Sequence, residues 1–356
     1  CIFPRKDDIT IQLVYNKYKY LPLWINGRSL TFIVSVNPDA LKVRDMCSNH
    51  IGGTIYLSAG GEKLKINHSI ALKRFKAEIG QANHMLITIM VGLDGIIPYD
   101  VEAQNEFHTS WNPKSKKASV ERSKLFAKKA TMAWLVDCLD IYLRLINQSP
   151  SLISSEKLKQ SIDSVDNSRS IYKRINLICQ YYEIQSTDFA LVDLLICWRN
   201  RLTHFQAEND ISLSNRRILE QNIEKIKENH CGLSIDETLT SFDNCGFPTF
   251  KEITSFVRAS INLISELDRC LLDDIDLVTY SDRIIVDYLN TKKDIRLNKI
   301  FSKDSKTAEK NIRQILAQSG FTPLPPNDVD EFCKNVSNMD FQTAKTALKN
   351  GTFIPS

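Results

Sequence analysis

Apolar residues in the middle of the chain recur at helical spacing. Leu125, Met132, Val136, Leu139, Leu143 and Ile146 follow one another at steps of seven, four, three, four and three, which places them on one stripe of a single long helix. Ile171, Ile175, Ile178 and Tyr182 repeat the pattern in a second helix, and residues 188–204 form a third. Leu219, Ile223 and Ile226 mark a more solvated helix, with Gly232 placed to end it. Thr249 followed by Glu252 is a capping-box signature: the threonine accepts from the first turn and the glutamate reaches back. The helix it opens carries Phe250, Ile253, Val257, Ile261, Ile264 and Leu271. Residues 163–168 and 234–248 read as polar connectors, so residues 119–274 predict a bundle of four or five helices.

The flanks differ. Leu30-Thr31-Phe32-Ile33-Val34-Ser35-Val36 is rich in β-branched and aromatic residues and predicts a strand. Thr54-Ile55-Tyr56-Leu57 and Lys63-Leu64-Lys65-Ile66 flank Gly60-Gly61, a hairpin signal. Met85-Leu86-Ile87-Thr88-Ile89-Met90-Val91 reads as a buried strand, and residues 70–79 as a short helix. Towards the carboxy terminus, residues 283–289, 295–301, 306–318 and 341–349 predict short helices, with Gly320 and Gly351 as stops. The fold class expected is therefore α+β and multidomain: a β-rich sensor or regulatory domain over residues 1–110, an all-α bundle over 111–276, and a small helical domain over 277–356. In outline the last resembles a helix-turn-helix.

Composition narrows the classes. With 356 residues, 43% hydrophobic and 25% charged, the chain is neither wholly disordered nor a rod. No apolar run reaches ~18 residues, so no membrane partner is expected. A net charge of +4 permits a nucleic-acid partner without requiring one. Nine cysteines, an odd number with no Cys-x-x-Cys pair, read as reduced thiols of a cytoplasmic protein. Cys1-Ile2-Phe3-Pro4-Arg5-Lys6 turns polar at once and does not read as a signal peptide. His230-Cys231 and Cys245 lack the second pair a zinc site needs, and the Gly-Gly pairs lack the Lys-Ser/Thr of a phosphate loop. No metal and no cofactor is expected.

The segment with chemistry is Leu191-Val192-Asp193-Leu194-Leu195-Ile196-Cys197-Trp198-Arg199-Asn200-Arg201-Leu202-Thr203-His204-Phe205. A stretch that must be buried runs straight into two arginines, an asparagine and a histidine. Burying those groups unpartnered would cost several kcal/mol, so this end opens on a cleft, a partner or a ligand. Asn200 and His204 are four apart and share a helix face. Guanidinium matches phosphate oxygens, and imidazole moves protons near neutral pH.

Arg199-Asn200 with His204 four residues further on, after a buried apolar helix, resembles the active-site motif of HEPN-superfamily ribonucleases. A match this strict is expected by chance roughly 0.02 times in a chain of this composition. The resemblance covers the motif and the bundle around it. It implies metal-independent cleavage of RNA, in which the ribose 2′-hydroxyl attacks the adjacent phosphate and leaves a 2′,3′-cyclic phosphate and a 5′-hydroxyl. His204 would be the general acid or base, Arg199 would stabilise the phosphorane, and Asn200 would position one of them or the phosphate. It also implies a homodimer with a composite site, an antitoxin or phage-derived trigger as partner, and a role in abortive infection or as a toxin. The alternative is a HEPN-like protein that binds RNA or regulates without cutting.

RNA also needs a cationic track. Lys114, Lys116, Lys117, Arg122, Lys124, Lys128 and Lys129 cluster at the mouth of the first long helix, offset only by Glu121, with Trp111 just ahead as a stacking surface. Lys114, Lys116, Lys117 and Arg122, together with Arg201, are the expected RNA-binding residues.

Overall fold

A computed structural model describes residues 23–25, 28–30, 68–98, 111–165, 170–203, 209–321 and 328–354. The chain divides into two units, Cys1–Glu62 and Lys63–Ser356. In the first, β1 (Leu23–Ile25) and β2 (Arg28–Leu30) pair antiparallel, with Leu23 opposite Leu30 and Ile25 opposite Arg28. The dipeptide between them is Asn26-Gly27, the pair most favoured in two-residue hairpins because both residues accept positive φ.

The described residues of the second unit are helical and build two hydrophobic cores. The first core is shared by α1 (Ile70–Ile96), α2 (Lys116–Asn147), α3 (Glu156–Asp163), α4 (Ser170–Tyr181), α5 (Thr187–Thr203), α6 (Leu213–Gln221), α7 (Ile223–Asn229), α8 (Ile235–Asp243) and α9 (Phe250–Asp273). The second is built by α10 (Leu277–Thr291), α11 (Lys293–Phe301), α12 (Ser305–Gln318), α13 (Asp328–Ser337) and α14 (Phe341–Asn350). Leu272 and Tyr280 pack against both cores. Among the described residues no helix is long and apolar enough to cross a membrane.

The α+β expectation does not hold. Residues 85–91, a strand by composition, lie inside α1. An unbroken apolar run fits either period, and here the neighbours decide. Leu72, Phe75, Ile79, Ala82 and Leu86 form a helical stripe that is buried, while Leu86 is the one residue of the run itself that is buried. α1 packs along α2 and α9, so residues 70–96 belong to the bundle and not to a β-rich domain. Of the strand expected over 30–36 only Leu30 is described, at the end of β2, and the strands expected over 54–57 and 63–66 lie outside the described residues. The connector expected over 234–248 contains α8, and the single helix expected through Leu219 and Ile226 is broken at Asn222 into α6 and α7. The capping box at Thr249 and Glu252 is present and opens α9.

A buried carboxylate ties the start of α1 to the centre of the bundle. Asp268 on α9 accepts from the Ser69 backbone N–H at 3.0 Å, from the Ser69 hydroxyl, and from the Tyr142 hydroxyl at 3.2 Å. Ser69 in turn caps α1 by accepting from the Leu72 N–H at 2.9 Å. Burial pushes the Asp268 carboxyl above its ordinary range, and the bonds from Ser69 and Tyr142 only partly offset this. Asp268→Ala strands these donors and should cost about 3 kcal/mol in chemical denaturation. Because the carboxyl is raised in the fold, its contribution to stability is full below the ordinary carboxylate pKa and is lost as pH rises through the raised value. The stability difference between wild type and Asp268→Asn should therefore move in favour of the variant from pH 4 to pH 7.

Candidate functional site

α5 is the centre of the bundle. Phe189 to Trp198 are all buried, and a helix apolar on every side has only the middle of a bundle to occupy. It packs against α2, α6 and α9. Its buried Asp193 accepts from the Ser212 N–H and the Asn215 side-chain amide, both at 3.0 Å. The Cys197 thiol lies 3.2 Å from the Asp210 carbonyl. These contacts hold the chain from residue 209 onward against the same helix. Trp198 donates from Nε1 to the Gly246 carbonyl at 3.0 Å and meets Phe242 and Phe256 edge-on. A Cβ at residue 246 would fall 2.6 Å from the Ser241 hydroxyl and 2.9 Å from its carbonyl oxygen, so this approach requires glycine.

Burial stops at Arg199. Its side chain is 21% exposed and reaches α2, where one terminal nitrogen lies 3.5 Å from Asp137, a carboxylate 67% exposed. The other terminal nitrogen donates to Asn200 Oδ1 at 3.1 Å. Its Nε–H is buried and has no partner among the described residues. Arg199 is therefore held by one long, solvated ion pair and one neutral acceptor, with a donor to spare. Arg201 is different. It donates from Nε to the Asn209 carbonyl at 2.8 Å and from one terminal nitrogen to the Phe242 carbonyl at 2.9 Å. Its other terminal nitrogen pairs with Asp210, and its guanidinium stacks 3.8 Å from the Phe242 ring centroid. All its nitrogens are engaged within the chain, and these contacts fix the end of α5. His204 follows Thr203, the last residue of α5, and lies outside the described residues.

The structure splits the basic run. Lys124 pairs with Asp94 of α1 at 2.5 Å and with Glu121 at 3.3 Å. Lys129 sits over the Phe247 ring at 4.6 Å. Lys114, Lys117 and Arg122 are exposed, while Lys116 is half-buried. Asp137, the residue touching Arg199, lies fifteen positions beyond Arg122 and twenty beyond Lys117, about 22 and 30 Å along the helix. The start of α2 and the Arg199 end are thus separate places joined by one helix. Sequence reasoning missed Asp137, Phe126 and Phe247 here. The signal for Phe126 was available, because it falls out of phase with the stripe through Met132, Val136 and Leu139. Among the described residues no cluster of side chains could hold a metal, and none of the described cysteines is bonded to another.

Comparison with protein families, with characterised proteins and with solved structures returns no match.

Proposed function

We propose that this chain is an endoribonuclease of HEPN type that cleaves RNA without a metal. The observation that carries the reading is Arg199: a guanidinium at the open end of a helix buried from Phe189 to Trp198, loosely held by Asp137 and Asn200, with an Nε–H that meets no partner among the described residues. A phosphate arriving there would replace the long contact to Asp137 with a shorter, bidentate one. Asn200 is placed to orient the guanidinium.

In this reading the ribose 2′-hydroxyl loses its proton to His204 and attacks the adjacent phosphorus. Arg199 balances the charge on the phosphorane, the bond to the 5′-oxygen breaks, and that oxygen takes a proton. The products are a 2′,3′-cyclic phosphate and a 5′-hydroxyl. One imidazole cannot accept and donate at the same instant, so a second copy facing the first would complete the site. Control by an antitoxin or a phage-derived trigger in the cytoplasm, as toxin or abortive-infection effector, belongs to the same proposal.

The test is incubation of purified protein with total RNA in EDTA, followed by analysis of the ends. Fragments with cyclic phosphates from wild type, and none from His204→Ala, support the enzyme. Equal RNA binding by both proteins with no cleavage, repeated in phage-infected extract to supply a trigger, assigns the chain to non-catalytic RNA binding.

A further inference from the structure

α2 carries one exposed stripe that ends at Arg199. At 100° per residue, Ser119, Arg122, Phe126, Ala130, Ala133 and Asp137 lie within about 80° of one another. Arg122, Phe126, Ala130 and Asp137 are exposed, and Ser119 and Ala133 are half-buried. The phenyl ring of Phe126 is 74% exposed, opposite in phase to the buried face of its helix. Lys129, three positions on, is its neighbour on the helix surface. The Lys129 ammonium in turn lies over Phe247, a residue 46% exposed on the connection between α8 and α9. Arg122, one turn before Phe126, makes no ion pair with a described residue. Two exposed rings thus flank a lysine, which lies over one of them, and an arginine unpaired among the described residues stands beside them. The small side chains of Ala130 and Ala133 leave the path from there to Arg199 low.

This is the chemistry that holds a single nucleic-acid strand: bases stack on rings whatever their identity, and phosphates meet the cations between them. A second copy fits less well, because a two-fold contact through this surface would set Arg122 and Lys129 against their like. We infer that the surface formed by Arg122, Phe126, Lys129 and Phe247 is a track for single-stranded RNA that leads along α2 to Arg199, with one base stacked on Phe126. That the strand is then cut rests on the endoribonuclease reading above.

The test separates the two. Fluorescence anisotropy with a short single-stranded RNA carrying 2′-O-methyl riboses reads binding alone, since the attacking hydroxyl is blocked. Phe126→Ala and Phe247→Ala should each weaken binding about tenfold, while Phe126→Trp retains it. Phe126→Ala binding as tightly as wild type overturns the track, even if natural RNA is cleaved. The same variant changing the mass of the protein in solution with RNA affinity unchanged also overturns it and makes the surface a protein contact. Binding that depends on Phe126 without cleavage of natural RNA upholds the track and removes the enzyme reading alone.

Discussion

Arg199→Ala and His204→Ala should each slow RNA cleavage by about 10²–10⁴-fold and leave the melting temperature within a degree or two of wild type. The size follows from what such groups supply: a positioned acid or base, or a charge aimed at a developing phosphorane, is worth about that much in rate. The small stability cost follows from geometry. Arg199 gives up a 3.5 Å contact to a carboxylate that is already two-thirds solvated, and its Nε–H has no partner among the described residues before the substitution. Pairs of that kind contribute about 0–1 kcal/mol. Arg199→Lys should fail nearly as badly as Arg199→Ala, because an ammonium cannot present two parallel donors to a phosphate. Single-turnover cleavage of a labelled RNA, with thermal melts of the same preparations, reads both quantities. A fall in melting temperature with no change in cleavage would place Arg199 and His204 in the scaffold, pairing with Asp137 and ending α5 respectively.

The central helices were legible because their burial is one-sided or complete, and both leave a periodic trace. The stripe through Met132, Val136 and Leu139 fits the helical period alone, and the run through α5 is too long for an ordinary strand. The capping box at Thr249 needed no tertiary context, since both partners lie within one turn. Residues 85–91 failed for the opposite reason. Composition there favours a strand, and only the stripe of the preceding turns, Leu72 to Ala82, shows that the helix continues. At the site, Arg199 and Asn200 could be placed at the exposed end of α5 because the apolar run stops at Trp198. Asp137 could not, since it comes from another helix sixty residues away. Nor could the sequence separate Arg199 from Arg201. Two positions apart, they point to different sides of α5, and only the surroundings decide that one is loosely held and the other locked.

Trp198→Ala should destabilise the fold by about 3–5 kcal/mol, the largest effect expected of any single substitution in α5. The indole is fully buried, packs edge-on against Phe242 and Phe256, and is the donor to the Gly246 carbonyl. Its loss opens a cavity between α5, α8 and α9 and leaves that carbonyl without its donor. Trp198→Phe keeps most of the volume and loses the bond, so it should cost about 1–2 kcal/mol. Urea denaturation of the two variants separates packing from hydrogen bonding. The pair also bears on function, because Trp198 is bonded directly to Arg199 and sets where that backbone sits. If the bundle positions Arg199 for catalysis, Trp198→Ala assayed where it is still folded should lose cleavage beyond its unfolded fraction, with RNA affinity at Phe126 retained. If cleavage instead tracks the folded fraction alone, the end of α5 holds its geometry without the indole. The contacts of Arg201 to Asn209, Asp210 and Phe242 are then what fix it.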